Sequence, residues 1–410
     1  MAPRTHTRRF PKPIRHDGRD YLTTEQVAKL LGVKTATVYA YVSRGRMTSV
    51  RIDGVDGSVF GVDEVEALMS GRVRRAPAGV VERIRTQLTL LQDDHLYYRG
   101  CDAADLARTV SFEKVANMLW DNEVDWDSLS RIDSAARDSI VSLAGPHARG
   151  LDLIRLTIDV LGARDAQRHD RARSAVTTAA ATTIAAAVDV LSPGGASSNG
   201  ALAQRLWPCL TAEPATAETI RVLDAALVLL ADHDLSAGAV AARVAASARG
   251  NVYAVLSAGL GAFDGPIHGG ATTFAYRMLA GAVADPRAAM ADQMYLGGPI
   301  PGTGHIVYRR RDPRADVLIE MLRTSSTADP RVVDALEEIE RRLPSDTFVN
   351  SDLALAALAL AHRMRPDAAE AIFAVARMAG WTAHALEEFH ETRLRFRPEG
   401  VYTGVRPTKY

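Results

Sequence analysis

Three histidines in the sequence sit among residues that leave the main chain open to a ligand. His268 lies in GAFDGPIHGGA, His305 in GPIPGTGHIVYRRRDPRAD and His233 in ADHDLSAG. Glycines around His268 let the backbone approach a bound molecule closely. His305 follows Gly302 and Gly304, and a run without bulky side chains ahead of a histidine leaves N–H groups to cradle a carbonyl or phosphate. No Gly-Lys-Ser/Thr follows, so the run is not a P-loop. Arginines accompany these histidines: Arg309 and Arg314 in the same segment, Arg377 in FAVARMAGW and Arg397 in RFRPEGVYTG. Because arginine grips carboxylates bidentately, the set points to a polyanionic substrate such as a dicarboxylate. One carboxylate among histidines is the minimum for removing a proton beside a carbonyl. Asp352 in VNSDLALAALAL offers it, with Asp346 upstream as the alternative. No histidine pair has the spacing of a zinc motif, so no metal is expected.

The elements that must position these groups are mostly helices. From about residue 82 onward, Ala- and Leu-rich helical periodicity dominates, as in Ser111 to Trp120, Thr216 to Leu230, Val240 to Ala248 and Ala368 to Phe389, and β-signals are scarce. The chain has 410 residues, 47% of them hydrophobic and 24% charged, enough for two or three globular domains. Lys plus Arg equals Asp plus Glu at 49 each, which removes any global bias toward nucleic acid or membrane. Two lone cysteines, Cys101 and Cys209, do not make a disulfide framework and suggest a reducing compartment. The longest charge-free apolar region, near Ala175 to Val188, falls short of the roughly 20 residues of a spanning helix. A cytoplasmic protein without a membrane partner is the simplest expectation.

The first 72 residues read differently. Residues 1–20 are basic and proline-containing, and are expected to be a disordered arm. In LTTEQVAKLLGVKTATVYAYVSRGRM, Thr23 and Gln26 fit a capping box, Gly32 ends a first helix, and a second begins near Lys34 with Val38 and Val42 inward. Ser49 to Ile52 and Ser58 to Phe60 suggest a small wing, and a last helix follows from about Asp63 to Met69. Residues 21–72 resemble the MerR/excisionase helix-turn-helix class, which implies DNA as a partner. Lys34, Thr35, Thr37, Arg44 and Arg46 are the candidate contacts. Against this, the face carrying Ala36, Thr37, Ala40 and Ser43 is poor in side chains that read base edges. Residues 73–89 read as a linker.

The histidine segments, taken in order together with LYYRGCDAADLA at Leu96 to Ala107, resemble citrate synthase and 2-methylcitrate synthase. GPIHGGA and GHIVYRRRDPRA are the specific motifs. The resemblance covers about residues 90–410 and implies a two-domain, all-helical fold with a small domain at about 270–363 inserted in a large one. It implies condensation of an acyl-CoA with oxaloacetate, then hydrolysis to citrate or 2-methylcitrate plus CoA, with no cofactor beyond the thioester. Asp352 would take the acyl α-proton, His268 would stabilise the enol, and His305 would polarise the 2-oxo carbonyl. His233, Arg314 and Arg377 would hold oxaloacetate, joined by Arg397 from the partner of a homodimer. Arg309, Gly302 and Gly304 would meet CoA. Thr303, Ile306, Asp234, Ser351 and Leu353 depart from the family pattern, and none of them removes a chemical group. The competing reading is a DNA-binding regulator whose synthase-like region senses a carboxylate or acyl-CoA.

Overall fold

The computed structural model describes residues 13–16, 19–69, 84–192, 200–295 and 297–396. The chain divides into two compact units, the first ending at Ile84 and the second running Arg85–Phe396.

In the first unit, strands β1 (Ile14–His16), β2 (Arg19–Thr23), β3 (Ser49–Val50) and β4 (Val59–Gly61) form an antiparallel sheet in the order β1-β2-β4-β3. Helices α1 (Thr24–Leu31), α2 (Thr35–Ser43) and α3 (Val62–Met69) pack with it. The Thr23 hydroxyl accepts the Gln26 N–H and the Gln26 side chain accepts the Thr23 N–H, the reciprocal capping expected. Gly32 ends α1 at φ 68, where a side chain would be strained. Leu22, Val27, Val38, Met47, Phe60 and Val65 form the core, with Val42 packed against it. The arm reading needs correction at its second half. Residues 14–16 pair with 19–21, because Ile14 finds Tyr21, Ile52 and Val59 to pack on and Arg15 pairs with Asp20. Residues 1–12 and 73–83 lie outside the described residues.

The second unit opens with an antiparallel three-stranded sheet: β5 (Thr89–Gln92), β6 (His95–Tyr98) and β7 (Cys101–Asp102). Its first turn, Asp93–Asp94, has both residues at positive φ, the geometry of a tight two-residue hairpin loop. This sheet was not expected in a region read as helical. Helices follow: α4 (Ala103–Thr109), α5 (Phe112–Trp120), α6 (Ser134–Ala144), α7 (Gly150–Arg164), α8 (Arg173–Leu191), α9 (Leu202–Leu210) and α10 (Ala217–Leu230). Next come α11 (Ala237–Ser247), α12 (Val252–Phe263), α13 (Ala271–Ala282), α14 (Pro286–Tyr295), α15 (Pro313–Arg323), α16 (Pro330–Arg342), α17 (Ser351–Ala361) and α18 (Ala368–Phe389). The four helical segments read from the sequence fall on α5, α10, α11 and α18.

Helix α18 is buried along nearly its whole length and packs on α5, α7, α8, α10, α11 and α12. Gly259 of α12 admits its Trp381, whose ring lies 2.6 Å from where a Cβ would stand. Helices α13, α14, α16 and α17 pack mainly among themselves, while α15 bridges from α17 to α10 and α4. Helix α8 is long and apolar enough to cross a bilayer by length and composition, and 72% of its apolar window is buried within the unit.

Candidate active site

Each histidine stands in a segment that joins two helices. Helix α10 ends at Leu230, and Asp232 and His233 follow directly. The Tyr98 hydroxyl donates to the Leu229 and Asp232 carbonyls, both at 3.0 Å, which pins that exit. His268 lies in the turn between α12 and α13, folded back by hydrogen bonds from His268 N and Gly270 N to the Gly265 carbonyl. His305 sits ahead of α15. Its Nδ1 accepts the Val307 N–H at 3.0 Å, with Tyr308 N at 3.4 Å. The proton of a neutral His305 must therefore sit on Nε2.

The structure brings these groups together. The His233 and His305 rings meet edge to face at 5.1 Å, and the Tyr308 hydroxyl lies 3.0 Å from His233 Nε2. Tyr308 packs on both rings, at 5.4 Å from His233 and 4.8 Å from His305. His268 packs between Phe263 and Phe373, and its Nδ1 is buried without a hydrogen-bond partner among the described residues. Burial first, then the positive field of Arg377 and Arg314, pulls His268 down to about 4. His305 also falls to about 4, through burial and then Arg314. His233 is driven well below its ordinary value by burial, both arginines and the other two histidines. All three rings are thus neutral near pH 7.

The two arginines differ in company. Arg314, at the start of α15, donates to Asp312 through Nε at 3.0 Å and Nη2 at 2.8 Å. Asp312 also caps α15 and accepts the Ser351 N–H of α17 at 2.9 Å. Arg377, in the middle of α18, gives Nε to the Leu230 carbonyl at 2.7 Å and lies over the Phe373 ring. Its Nη2 is buried and has no hydrogen-bond partner among the described residues.

Asp352 stands in the first turn of α17, whose cap Asn350 accepts its N–H at 2.9 Å. The Gly302 carbonyl accepts Asn350 N–H, and Asn350 Nδ2 donates to the Gly304 carbonyl, each at 2.9 Å. The head of α17 is therefore stitched to the loop carrying His305. Burial raises Asp352 to about 6, with Arg314 opposing. Asp346 lies on an exposed turn.

The glycines shape the loop itself. Gly304 N–H is donated to the Phe348 carbonyl at 2.7 Å. Gly302, at φ 78, presses on Leu353, where a Cβ would come within 2.5 Å. Arg309 and Arg310 line a cavity of about 650 Å3 together with Tyr308 and residues of the β5–β6 turn. Arg397 lies outside the described residues. Lys34, Thr35, Arg44 and Arg46 are exposed and Thr37 is half-buried; Tyr39 of α2 is half-exposed as well.

Sequence reading missed several supporting groups. Asp312 looked like a helix start only, and Tyr308 three residues after His305 was not singled out. Beneath His233 lies a buried network. Arg243 Nε donates to His384 Nδ1 at 2.9 Å, and His384 Nε2 faces Asp232 Oδ1 at 3.2 Å. Asp232 also accepts the Thr89 hydroxyl at 2.5 Å, and Arg243 reaches Glu387 and Glu388. His384 is fully buried.

The second unit is thus a helical body in which neutral histidines, two buried arginines and a raised carboxylate are gathered into one site. A citrate synthase C-terminal domain model matches residues 79–399 and a helix-turn-helix domain model matches residues 21–72. The chain belongs to the citrate synthase family, as an enzyme of that type with a helix-turn-helix domain at its N-terminal end. It is 28% identical to citrate synthase 2 of Bacillus subtilis over 82% of this chain and 97% of that one. It is 30% identical to the citrate synthase of Acidithiobacillus ferridurans over 77% and 91%. It is 29% identical to 2-methylcitrate synthase of Mycobacterium tuberculosis over 81% and 91%. The fold resembles citrate synthase from Thermoplasma acidophilum, solved as a ternary complex with carboxymethyl coenzyme A and oxaloacetate. The TM-score is 0.71 at 23% identity, covering 81% of this chain and 96% of that one.

Proposed function

We propose that this enzyme condenses an acyl-CoA, acetyl-CoA or propionyl-CoA, with oxaloacetate and hydrolyses the product thioester to citrate or 2-methylcitrate and CoA. The observation that carries the reading is Arg377: a buried guanidinium whose Nη2 has no partner among the described residues, and in whose field His233, His268 and Asp352 all lie. A buried cation short of partners calls for an anionic ligand. Arg314, His233 and Arg377 hold the carboxylates of oxaloacetate. His305, neutral with its proton on Nε2, donates to the 2-oxo oxygen as charge grows there. Asp352 takes the α-proton of the thioester, and its raised pKa strengthens it as a base near neutrality. His268, neutral by burial, donates to the thioester oxygen and stabilises the enol. Arg309 reaches CoA phosphate from the rim. A homodimer in which Arg397 completes the partner's site belongs to the same proposal.

CoA release in the presence of oxaloacetate and each acyl-CoA tests it. Asp352→Ala should lower kcat by about 100- to 10,000-fold, the range of a general base, while Asp346→Ala leaves it unchanged. The parent's rate should fall below about pH 6, as Asp352 gains its proton. No CoA release from the parent with either thioester would overturn the assignment.

A second reading, DNA-bound regulation by the same ligands, draws on the helix-turn-helix match and the exposed Lys34, Arg44 and Arg46. A salt-dependent shift of duplex DNA by the full chain, abolished by Arg44→Ala with Arg46→Ala, would support it.

A further inference from the structure

The β5–β6 turn reaches across more than 200 positions to the loop that carries His305. Asp94 accepts the backbone N–H of Arg309 at 2.7 Å through one carboxylate oxygen and that of Arg310 at 3.1 Å through the other. Arg310 Nε lies 3.4 Å away, and only 7% of the Asp94 side chain is exposed. Next to it, His95 Nε2 lies 3.2 Å from Arg311 Nη2, while His95 Nδ1 lies 3.2 Å from Asp102. Arginine only donates, so Nε2 accepts and Nδ1–H points to Asp102. The hairpin thus grips three successive residues, two by their main chain and one by its side chain.

These three residues follow Tyr308 directly. Tyr308 supplies the hydroxyl at His233, and the peptides of Val307 and Tyr308 fix the His305 tautomer. We propose that Asp94 is a positioning residue: its carboxylate clamps the 309–310 peptides and so holds His305 and Tyr308 in register with His233. The effect on rate rests on the condensation reading above; the clamp itself does not. The hydrogen bonds from Arg309 and Arg310 also hold the Asp94 carboxyl below its usual range, against its partial burial, so the clamp stays ionised at neutral pH.

Asp94→Asn tests the idea cleanly. Asp94 sits at φ 60, a left-handed conformation that asparagine tolerates well, so the turn should survive. An amide can accept one N–H but sets its own NH2 against the other. Asp93→Asn, on the exposed neighbour in the same turn, is the control. Two readouts are needed. Amide hydrogen exchange at residues 307–311 should speed up about tenfold or more in Asp94→Asn, with the rest of residues 85–396 unchanged, and not in Asp93→Asn. Steady-state kinetics should show kcat down by about 10- to 100-fold, since misplacing a catalytic group by about 1 Å has that scale of cost, with a smaller rise in acyl-CoA KM because Arg309 itself is clamped. Unchanged exchange at 307–311 would overturn the clamp. Faster exchange with an unaltered kcat would overturn the positioning role. A parent chain that exchanges as expected but releases no CoA would sink the condensation reading and leave the clamp standing.

Discussion

Arg314 and Arg377 are both buried within the same cluster of histidines, yet their surroundings are built on different principles. At the head of α15, Arg314 has a resident carboxylate. Asp312 takes two of its N–H groups and ties it to the first turn of α17. Burial works against the Arg314 charge, but Asp312 and Tyr308 more than restore it and its pKa is raised. In the middle of α18, Arg377 has a carbonyl, an aromatic face and no carboxylate within ion-pair distance among the described residues. Burial pulls it down to about 10, with Asp232 and Tyr98 opposing from farther away. Arg314 already has a carboxylate partner within the protein, whereas Arg377 has none among the described residues. On the proposed reading, oxaloacetate supplies the anion that Arg377 lacks and is a second partner for Arg314.

Stability should separate the two most sharply. Arg314→Met leaves Asp312 as a buried charge without its cation and should cost about 3–5 kcal/mol in denaturant unfolding. Arg377→Met removes a poorly compensated charge while leaving one carbonyl unpaired. Those effects oppose each other, and the net change should stay within about 1 kcal/mol. Oxaloacetate should raise the unfolding midpoint of the parent and fail to do so for Arg377→Met. Equal losses in the two variants would break the comparison.

That contrast was only half legible in the sequence. Both arginines stood out, because each lies in a short segment near glycine or histidine motifs. The partner that distinguishes them did not. Asp312 two residues before Arg314 reads as an ordinary helix cap, and capping is indeed part of its work. The reciprocal cap at Thr23 and Gln26 was legible because both halves lie within one turn. The network under His233 was not, since Arg243 and His384 meet across 141 positions. The hairpin at 89–98 escaped notice because its turn is Asp-Asp rather than a glycine pair, with both residues held at positive φ. The glycine runs were legible in part: Gly302 does mark a close approach, to Leu353, and the Gly304 N–H is taken by the Phe348 carbonyl.

Acid should expose the field that the two arginines share. His268 and His305 sit at about 4 in the folded protein, against an ordinary value near 6.5. Their contribution to stability is full above about pH 6.5 and is lost as pH falls toward 4, by about 3 kcal/mol for each histidine at the low end. His268→Asn and His305→Asn should each flatten that acid limb. The comparison sharpens further by NMR titration. After burial, Arg377 is the main influence on His268 and Arg314 the main influence on His305. Arg377→Met should therefore raise the His268 pKa and leave His305 where it was. A uniform rise in both would mean that the two guanidinium fields are not distinct.

The smallest effect concerns the carboxylate that supports Arg377 from a distance. Asp232 is buried, which by itself would raise its pKa, yet His384, Arg377 and Thr89 hold it below the ordinary value. His384 has a fixed tautomer, because Arg243 Nε–H donates to Nδ1 and leaves the proton on Nε2 for Asp232. His384→Leu deprives Arg243 Nε of its acceptor and removes the ring nitrogen that faces Asp232 Oδ1 at 3.2 Å, and should cost about 1–3 kcal/mol. His384→Gln can place an oxygen toward Arg243 and an NH2 toward Asp232, and should recover most of that loss. Because Asp232 helps keep Arg377 charged, oxaloacetate KM should rise in His384→Leu and return in His384→Gln, while kcat moves little. A kcat loss that glutamine fails to restore would place His384 in the chemistry instead of beneath it.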